Sequence, residues 1–387
     1  MTHSTAHRPH VSARAAKLSG NSLGELFLMA RARGAIDLAV GTPGFPEPAG
    51  EMIEEAAGAM RAGRNQYDHP AGDLLLRQRI AEMLPTATDP ATELTVTVGG
   101  TEALCVALLA TVDPGDEVVL LTPGYEQFTA AVNLAGAVPR FVPLHGPHWR
   151  YDPADLAAAF SPRTRAILLN SPSNPTGRVL GHRELAEIAE LCERWDTTVI
   201  SDEVYRTFVF DGREHVSVTE VPGLAERSVV IGSLSKSHAV SGWRLGYLRA
   251  DRARTEVLRR VHELTTNGAA TPLQVAAGLA ALSVDLSGAA AEMARRRDLA
   301  QEIFAGMGMK FAPSEGGCFL FADIGPITGG RQDCTQFVLD LLDRAGVLIV
   351  PGVPFFADPA LGRQYVRIAF NRRTELLREV ERRIQAA

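Results

Sequence analysis

Gly232-Ser-Leu-Ser-Lys236-Ser-His-Ala-Val-Ser-Gly-Trp-Arg244-Leu-Gly246 follows directly on the apolar, β-branched run at 229–231. Such a run reads as a buried strand, and an open α/β sheet places its ligand crevice at the carboxyl ends of its strands. Ser233 and Ser235 offer short hydroxyl donors there, Lys236 an amine and Arg244 a permanent cation. Hydroxyls with an arginine suit a phosphate. A lysine amine suits an aldehyde, because it can lose its proton and form an imine where a guanidinium cannot. One cofactor, pyridoxal 5'-phosphate, carries both groups. The lysine is also scarce: of 39 basic side chains only Lys17, Lys236 and Lys310 are lysines and 36 are arginines. A coding bias toward arginine accounts for that ratio but not for which lysines remain.

Working outward, short apolar runs alternate with amphipathic stretches from about residue 94. Runs at 94–98, 118–121, 140–143, 166–169, 198–201 and 229–231 predict strands, and 101–110, 125–135, 153–160 and 183–195 predict helices. This alternation builds a mostly parallel sheet covered on both faces, so the fold class is α/β. After residue 282 the pattern changes to a long helix over 286–304, strands at 319–322, 347–350 and 365–369, and helices at 334–344 and 374–384. That order predicts a smaller α+β domain. The expected divisions are a disordered N-terminus (1–12), an N-terminal segment of the small domain (13–46), a large cofactor-binding domain (47–283) and a C-terminal small domain (284–387).

With 387 residues, 46% hydrophobic and 22% charged, the chain has globular composition, against a disordered, collagenous or coiled-coil protein. A net charge of −6 argues against nucleic acid as a partner, since phosphate recognition leaves a basic footprint. Apolar runs such as 103–112 fall short of the roughly 20 residues that span a bilayer. Residues 1–10 have no apolar core of a secretory signal. Cys105, Cys192, Cys318 and Cys334 are widely spaced, with no Cys-x-x-Cys pair. Free thiols in a reduced cytoplasmic protein are expected, with neither disulfide nor metal site.

Four more strand ends carry polar clusters, each with an ordinary local reading. In Val98-Gly-Gly-Thr101-Glu102, glycines admit a ligand to a helix N-terminus, though Thr101 could equally cap the helix and Glu102 favour its dipole. Tyr125, in Pro123-Gly-Tyr125, could simply pack. Asn170-Ser-Pro-Ser-Asn174-Pro-Thr-Gly177 contains turn dipeptides. Ser201-Asp202-Glu-Val-Tyr205 places a carboxylate where a pyridine ring would need one to keep its nitrogen protonated. Lys236 follows Asp202 by 34 residues.

These motifs, in this order, resemble the class I/II aminotransferases of pyridoxal-phosphate fold type I, and the resemblance runs from about residue 13 to 384. Ala35-Ile-Asp-Leu-Ala-Val-Gly-Thr-Pro-Gly-Phe-Pro46 and Asn65-Gln-Tyr67 are most similar to the branch holding kynurenine, glutamine and methionine aminotransferases. The resemblance implies that Lys236 holds the cofactor as an imine and moves the substrate α-proton. It assigns Asp202 to the ring nitrogen, Tyr205 and Asn174 to the ring oxygen, and Tyr125 to the ring face. Gly100, Thr101, Glu102, Ser233, Ser235 and Arg244 would hold the phosphate, joined by Tyr67 from a neighbouring subunit. Arg367, Gly41 and Asn174 would bind the substrate carboxylate. Two-stage exchange between an L-amino acid and a 2-oxo acid, in a homodimer with shared sites, is the implied activity.

The same residues also serve lyases, cyclases and oxidases of this fold, including those of natural-product pathways, which is the alternative chemistry. A ligand-sensing lobe of a transcription regulator would need an attached DNA-binding domain, and the residues before Ala35 are too few for one. The family more often has an acidic residue where Gly44 stands, and Glu126 and Gln127 follow Tyr125, so the side-chain pocket is undefined. The loop 264–271 lacks the extra cation of dicarboxylate specialists, which argues against a strict aspartate enzyme. His69 and His238 flank motif residues but read more simply as structural.

Overall fold

The computed structural model describes residues 11–16, 18, 22–284 and 286–387; the predictions for residues 1–10 and for Lys17 fall outside them. An eight-stranded sheet runs in the order Leu94–Val98, Leu245–Ala250, Ser228–Ser233, Thr198–Asp202, Thr164–Asn170, Glu117–Thr122, Val138–His145, Arg150–Tyr151. The five strands from Ser228–Ser233 to Val138–His145 are parallel. Leu245–Ala250 is antiparallel to both neighbours, so Leu94–Val98 beyond it points with the parallel five. The carboxyl ends of all five motif-bearing strands therefore open on one edge, where an α/β sheet binds ligands.

Burial on both faces explains the continuous apolar strand sequences: Val118, Val119, Ile167, Val199 and Ile200 are completely enclosed. The helix His182–Trp195 buries Leu185, Ile188, Ala189, Leu191 and Cys192 along one stripe, with charged residues opposite. All six predicted strands and four predicted helices of this region are present, most of them a residue or more longer. The strand Leu245–Ala250 escaped the pattern. It begins within the stretch after Lys236, where a turn at left-handed Arg244 separates it from the short helix Leu234–Ser237. The helices Gly50–Arg61, Leu74–Met83, Arg252–Thr265 and Thr271–Ala280 were also not predicted.

Phe319–Asp323, Tyr365–Ala369 and Val350–Pro351 form a three-stranded antiparallel sheet. The single strand expected over 347–350 is divided, because Val347–Leu348 turns to pair in parallel with Ile36–Asp37. The N-terminal segment is thus sewn to the C-terminal part of the chain, and Ala369 N donates to Leu38 O at 2.8 Å. Trp149, from the large-sheet side, meets Phe321 and Tyr365 of the small sheet at ring-centroid distances of 5.2 Å each. Each such aromatic pair adds about 0.5–1.5 kcal/mol beyond burial. Among the described residues no helix is long and apolar enough to cross a membrane, and no cluster of side chains could hold a metal ion.

Candidate active site

A cavity of about 520 Å³ opens at the shared strand edge. Ser233 ends its strand and caps the short helix Leu234–Ser237 by accepting from Ser235 N at 3.0 Å. That turn aims Lys236 into the cavity, where its Nζ donates to Gly41 O at 2.9 Å. Asn371 Nδ2 donates to the same carbonyl at 3.2 Å. Burial pulls the Lys236 pKa down; the Arg367 and Arg244 guanidiniums act in the same direction and Asp202 against it. The cavity therefore shifts the amine toward its neutral, nucleophilic form.

Asp202 ends the adjacent strand and lines the same cavity. Its Oδ1 accepts from Val204 N at 3.2 Å, and Asn170 Nδ2 donates to its backbone oxygen at 3.0 Å. Burial pushes its pKa up to about 7, against the opposing pull of the Val204 N–H. Such a carboxyl wants a cation, and a protonated ring nitrogen supplies one. An ordinary aspartate titrates near 3.9, so between about pH 4 and 7 the folded chain holds a proton that the unfolded chain has released. The stability due to this group is thus full at low pH and lost as pH rises through 7. In the cofactor-free protein, Asp202→Asn is expected to gain at most about 3 kcal/mol over the parent between pH 5 and pH 8. Urea melts at the two pH values check this; an equal difference at both would refute it.

Gly100, Thr101, Ser233, Ser235 and Arg244 line one end of the cavity. The helix Gly99–Thr111 begins there, and the first N–H groups of a helix have no partner within it. Gly99 has φ +74°, and a Cβ at that position would collide with Arg244 Nη2, so glycine lets the guanidinium lie against the backbone. Arg244 Nη1 donates to Ser241 O at 2.9 Å and pairs with no carboxylate among the described residues. Open N–H groups, hydroxyls and an unneutralised cation fit a phosphate.

The side chain of Glu102 is engaged elsewhere than at the cavity. One of its oxygens accepts from Val98 N, while the other accepts from Thr266 Oγ1 and Thr265 Oγ1 and lies 2.9 Å from His262 Nδ1. It closes the helix start from outside the cavity, and Thr101, expected as a possible cap, makes no capping bond. The signal for this was His262, some 160 residues away, which nothing in the local sequence reveals.

Arg367 is buried in its strand, opposite Phe321. Its Nη1 donates to Asn174 Oδ1 at 2.9 Å and its Nη2 to Ala39 O at 2.8 Å. Phe319 and Phe355 stack against it at 4.3 and 4.8 Å from guanidinium carbon to ring centroid. Two of its five N–H donors are thus used for positioning, and Nε has no partner. Tyr125 lines the cavity edge-on to Phe128 at 5.4 Å, and Tyr205 lies edge-on to Phe319 at 5.9 Å. Burial raises the pKa of both phenols, so both remain neutral donors.

The structure brings Lys236, Asp202, Tyr205, Asn174, Tyr125, Gly100, Thr101, Ser233, Ser235, Arg244, Arg367 and Gly41 around one cavity. Tyr67 is elsewhere: it is 87% exposed and lines a separate groove with Asn267 and Thr271. His238 is structural, lying 2.8 Å from Ser237 Oγ and 3.1 Å from Ala281 O, and His69 accepts from Ala71 N. Sequence reading missed Phe319, Asn371 and Arg372. Arg372 straps the segment carrying Gly41, donating to Asp37 O and Thr42 O at 2.7 Å each and to Val40 O.

An amine, a carboxyl wanting a cation and two separate anion sites, set at the carboxyl edge of an α/β sheet, define a pyridoxal-phosphate-dependent transferase. The family model for class I and II aminotransferases matches residues 33–384. The chain belongs to that family. It is 35% identical to a probable N-succinyldiaminopimelate aminotransferase of Mycobacterium tuberculosis over 93% of this chain and 94% of that one. It is 36% identical to the arginine–pyruvate transaminase of Pseudomonas aeruginosa, over 90% and 88%. Among solved structures, the methionine aminotransferase YbdL of Escherichia coli superposes with a TM-score of 0.92 at 29% identity, over 98% of this chain and 100% of that one. These relatives are named for amino-group transfer, which favours it over the lyase and cyclase alternative.

Proposed function

We propose that this aminotransferase works by two-stage exchange between an L-amino acid and a 2-oxo acid, with Lys236 as the reactive amine. The observation that carries this is the meeting of Lys236, Asp202 and two anion sites, at Arg244 and Arg367, in one cavity. When bound, pyridoxal phosphate supplies an aldehyde for amine exchange and a protonated ring that withdraws electrons. Arg244, Ser233, Ser235, Gly100 and Thr101 would hold its phosphate, Asp202 its ring N–H, Tyr205 and Asn174 its ring oxygen, and Tyr125 its face.

The remaining donors of Arg367 take the substrate carboxylate in a two-pronged pair, beside the Gly41 backbone. This fixes the substrate Cα–H near Lys236, whose Nζ takes the proton and would return it to the carbon on the other side of the transferred nitrogen. Both substrates carry a carboxylate beside the reacting carbon, so one fork serves both half-reactions.

In this reading the molecule is a homodimer, with residues 13–46 and 284–387 as the small domain against 47–283. The exposed Tyr67 would be free to reach the phosphate of a second copy. Four free cysteines, three of them buried, support a reducing, cytoplasmic setting. Mixing holoenzyme with single amino acids and no acceptor is expected to give one equivalent of 2-oxo acid per site and no ammonia. Catalytic release of ammonia without an acceptor would instead assign a lyase.

A further inference from the structure

Five charged side chains line the cavity: Lys236, Arg244, Arg367, Asp202 and Glu126. The proposed function engages four of them. Arg244 faces the phosphate, Arg367 the α-carboxylate, Asp202 the ring and Lys236 the reacting carbon. Glu126 is left over. It begins the helix Glu126–Leu134, directly after Tyr125, and is one of the two carboxylates the cavity contains. One of its oxygens, Oε2, is shut off from solvent without any hydrogen-bond partner. Among the described residues no cation lies within ion-pair distance; the Glu126 backbone N–H and the charge of Arg367 act on the carboxylate, and that charge is reserved for the α-carboxylate.

An enclosed carboxylate oxygen without a partner is costly, and the cost persists unless a cation or strong donor meets it. Helix-dipole attraction explains why a carboxylate is tolerated at this position, but not why it borders the cavity. Much of the remaining wall is apolar, with Leu26, Val40, Ile349 and Val350, beside the polar Gln127 and Ser241. A side chain with a hydrocarbon stem and a cationic head matches both features. A second carboxylate would meet the like charge of Glu126 with no unengaged cation to offset it, only the neutral Gln127 and Ser241.

We infer that Glu126 is a specificity-determining residue that selects amino acids with a cationic side chain, such as arginine, ornithine or lysine. The inference rests on the transamination reading and on Arg367 holding the α-carboxylate. It deepens that reading by naming the substrate class. A site built to pair with a buried polar group discriminates strongly against analogues lacking it.

The test is single-turnover reaction of holoenzyme with arginine, ornithine, norleucine and glutamate. The expected kcat/KM for arginine or ornithine exceeds that for norleucine by at least about tenfold, with glutamate slowest. Glu126→Gln is expected to collapse the ratio of cationic to norleucine reactivity at least about tenfold, mainly through KM. Glu126→Lys is expected to reverse the order, favouring glutamate over arginine. Retained absorbance of bound pyridoxal phosphate in each variant shows that the site is assembled. If norleucine and glutamate react as well as arginine in the parent, or Glu126→Gln slows all four equally, the inference is overturned while transamination stands. If none of the four reacts while another amino acid yields its 2-oxo acid, the inference is likewise overturned and transamination stands; if no amino acid reacts, the transamination reading falls with it.

Discussion

Lys236→Ala is expected to lower kcat about ten-thousand-fold, with the fold and the phosphate cradle intact. The size follows from the cavity's inventory. A positioned acid or base contributes about 10²–10⁴-fold, and loss of amine exchange adds to it. No neighbour can take over. Tyr205 and Tyr125 are held neutral by burial, Asp202 would be committed to the ring in the proposed site, and a guanidinium does not shuttle protons near neutral pH. Lys236→Arg is expected to be equally inactive, because it restores charge without a releasable proton. Lys310→Arg is expected to leave the rate unchanged, since Lys310 is exposed and its backbone only bridges to Asp323. Stopped-flow turnover, with added small primary amines as a rescue, checks all three. Partial rescue of Lys236→Ala identifies proton transfer as the missing step, and a variant retaining more than one per cent of the parent rate would refute the assignment.

The second large effect is at Arg367. Arg367→Ala is expected to reduce kcat/KM about a thousand-fold for amino acid and 2-oxo acid alike, mostly through KM. Two contributions add. The two-pronged pair with the carboxylate disappears, and Asn174 Oδ1 and Ala39 O lose their buried donors. Arg367→Lys is expected to recover less than a tenth of the loss, because a point charge cannot reach Asn174, Ala39 and a carboxylate together. A fall confined to one of the two substrates would argue for a side-chain role and against the shared fork.

Much of the site was legible because it sits at strand ends. A buried strand announces itself by composition, and the polar residues immediately after it must lie at the sheet's edge; Asp202, Lys236 and Tyr125 were found this way. Directions around a helix were harder. Glu102 is only a residue or two beyond Gly100 and Thr101, yet helical rotation turns it away from them toward His262 and Thr266. Arg372 was hidden by numbers. In a chain with 36 arginines, one that straps the Gly41 segment looks like any other. Phe319, beneath the Arg367 guanidinium, lies in a run that reads simply as core. Glu126 was visible as a polar neighbour of Tyr125, but its lack of a partner is a property of the enclosing walls, which no local pattern encodes.

The pairing of Ile36–Asp37 with Val347–Leu348 sets a timetable for the molecule. About 310 residues separate the two, so a ribosome adding roughly 5–20 residues per second needs about 15–60 s to supply the second after the first. Every strand of the eight-stranded sheet has emerged by then, and so have Lys236, Asp202 and Arg244. Arg367 and the strand against which Ile36–Asp37 settles arrive last. In the proposed site the nascent chain would therefore complete its phosphate cradle while the segment carrying Gly41 is still waiting for its place, and substrate recognition would come after cofactor binding.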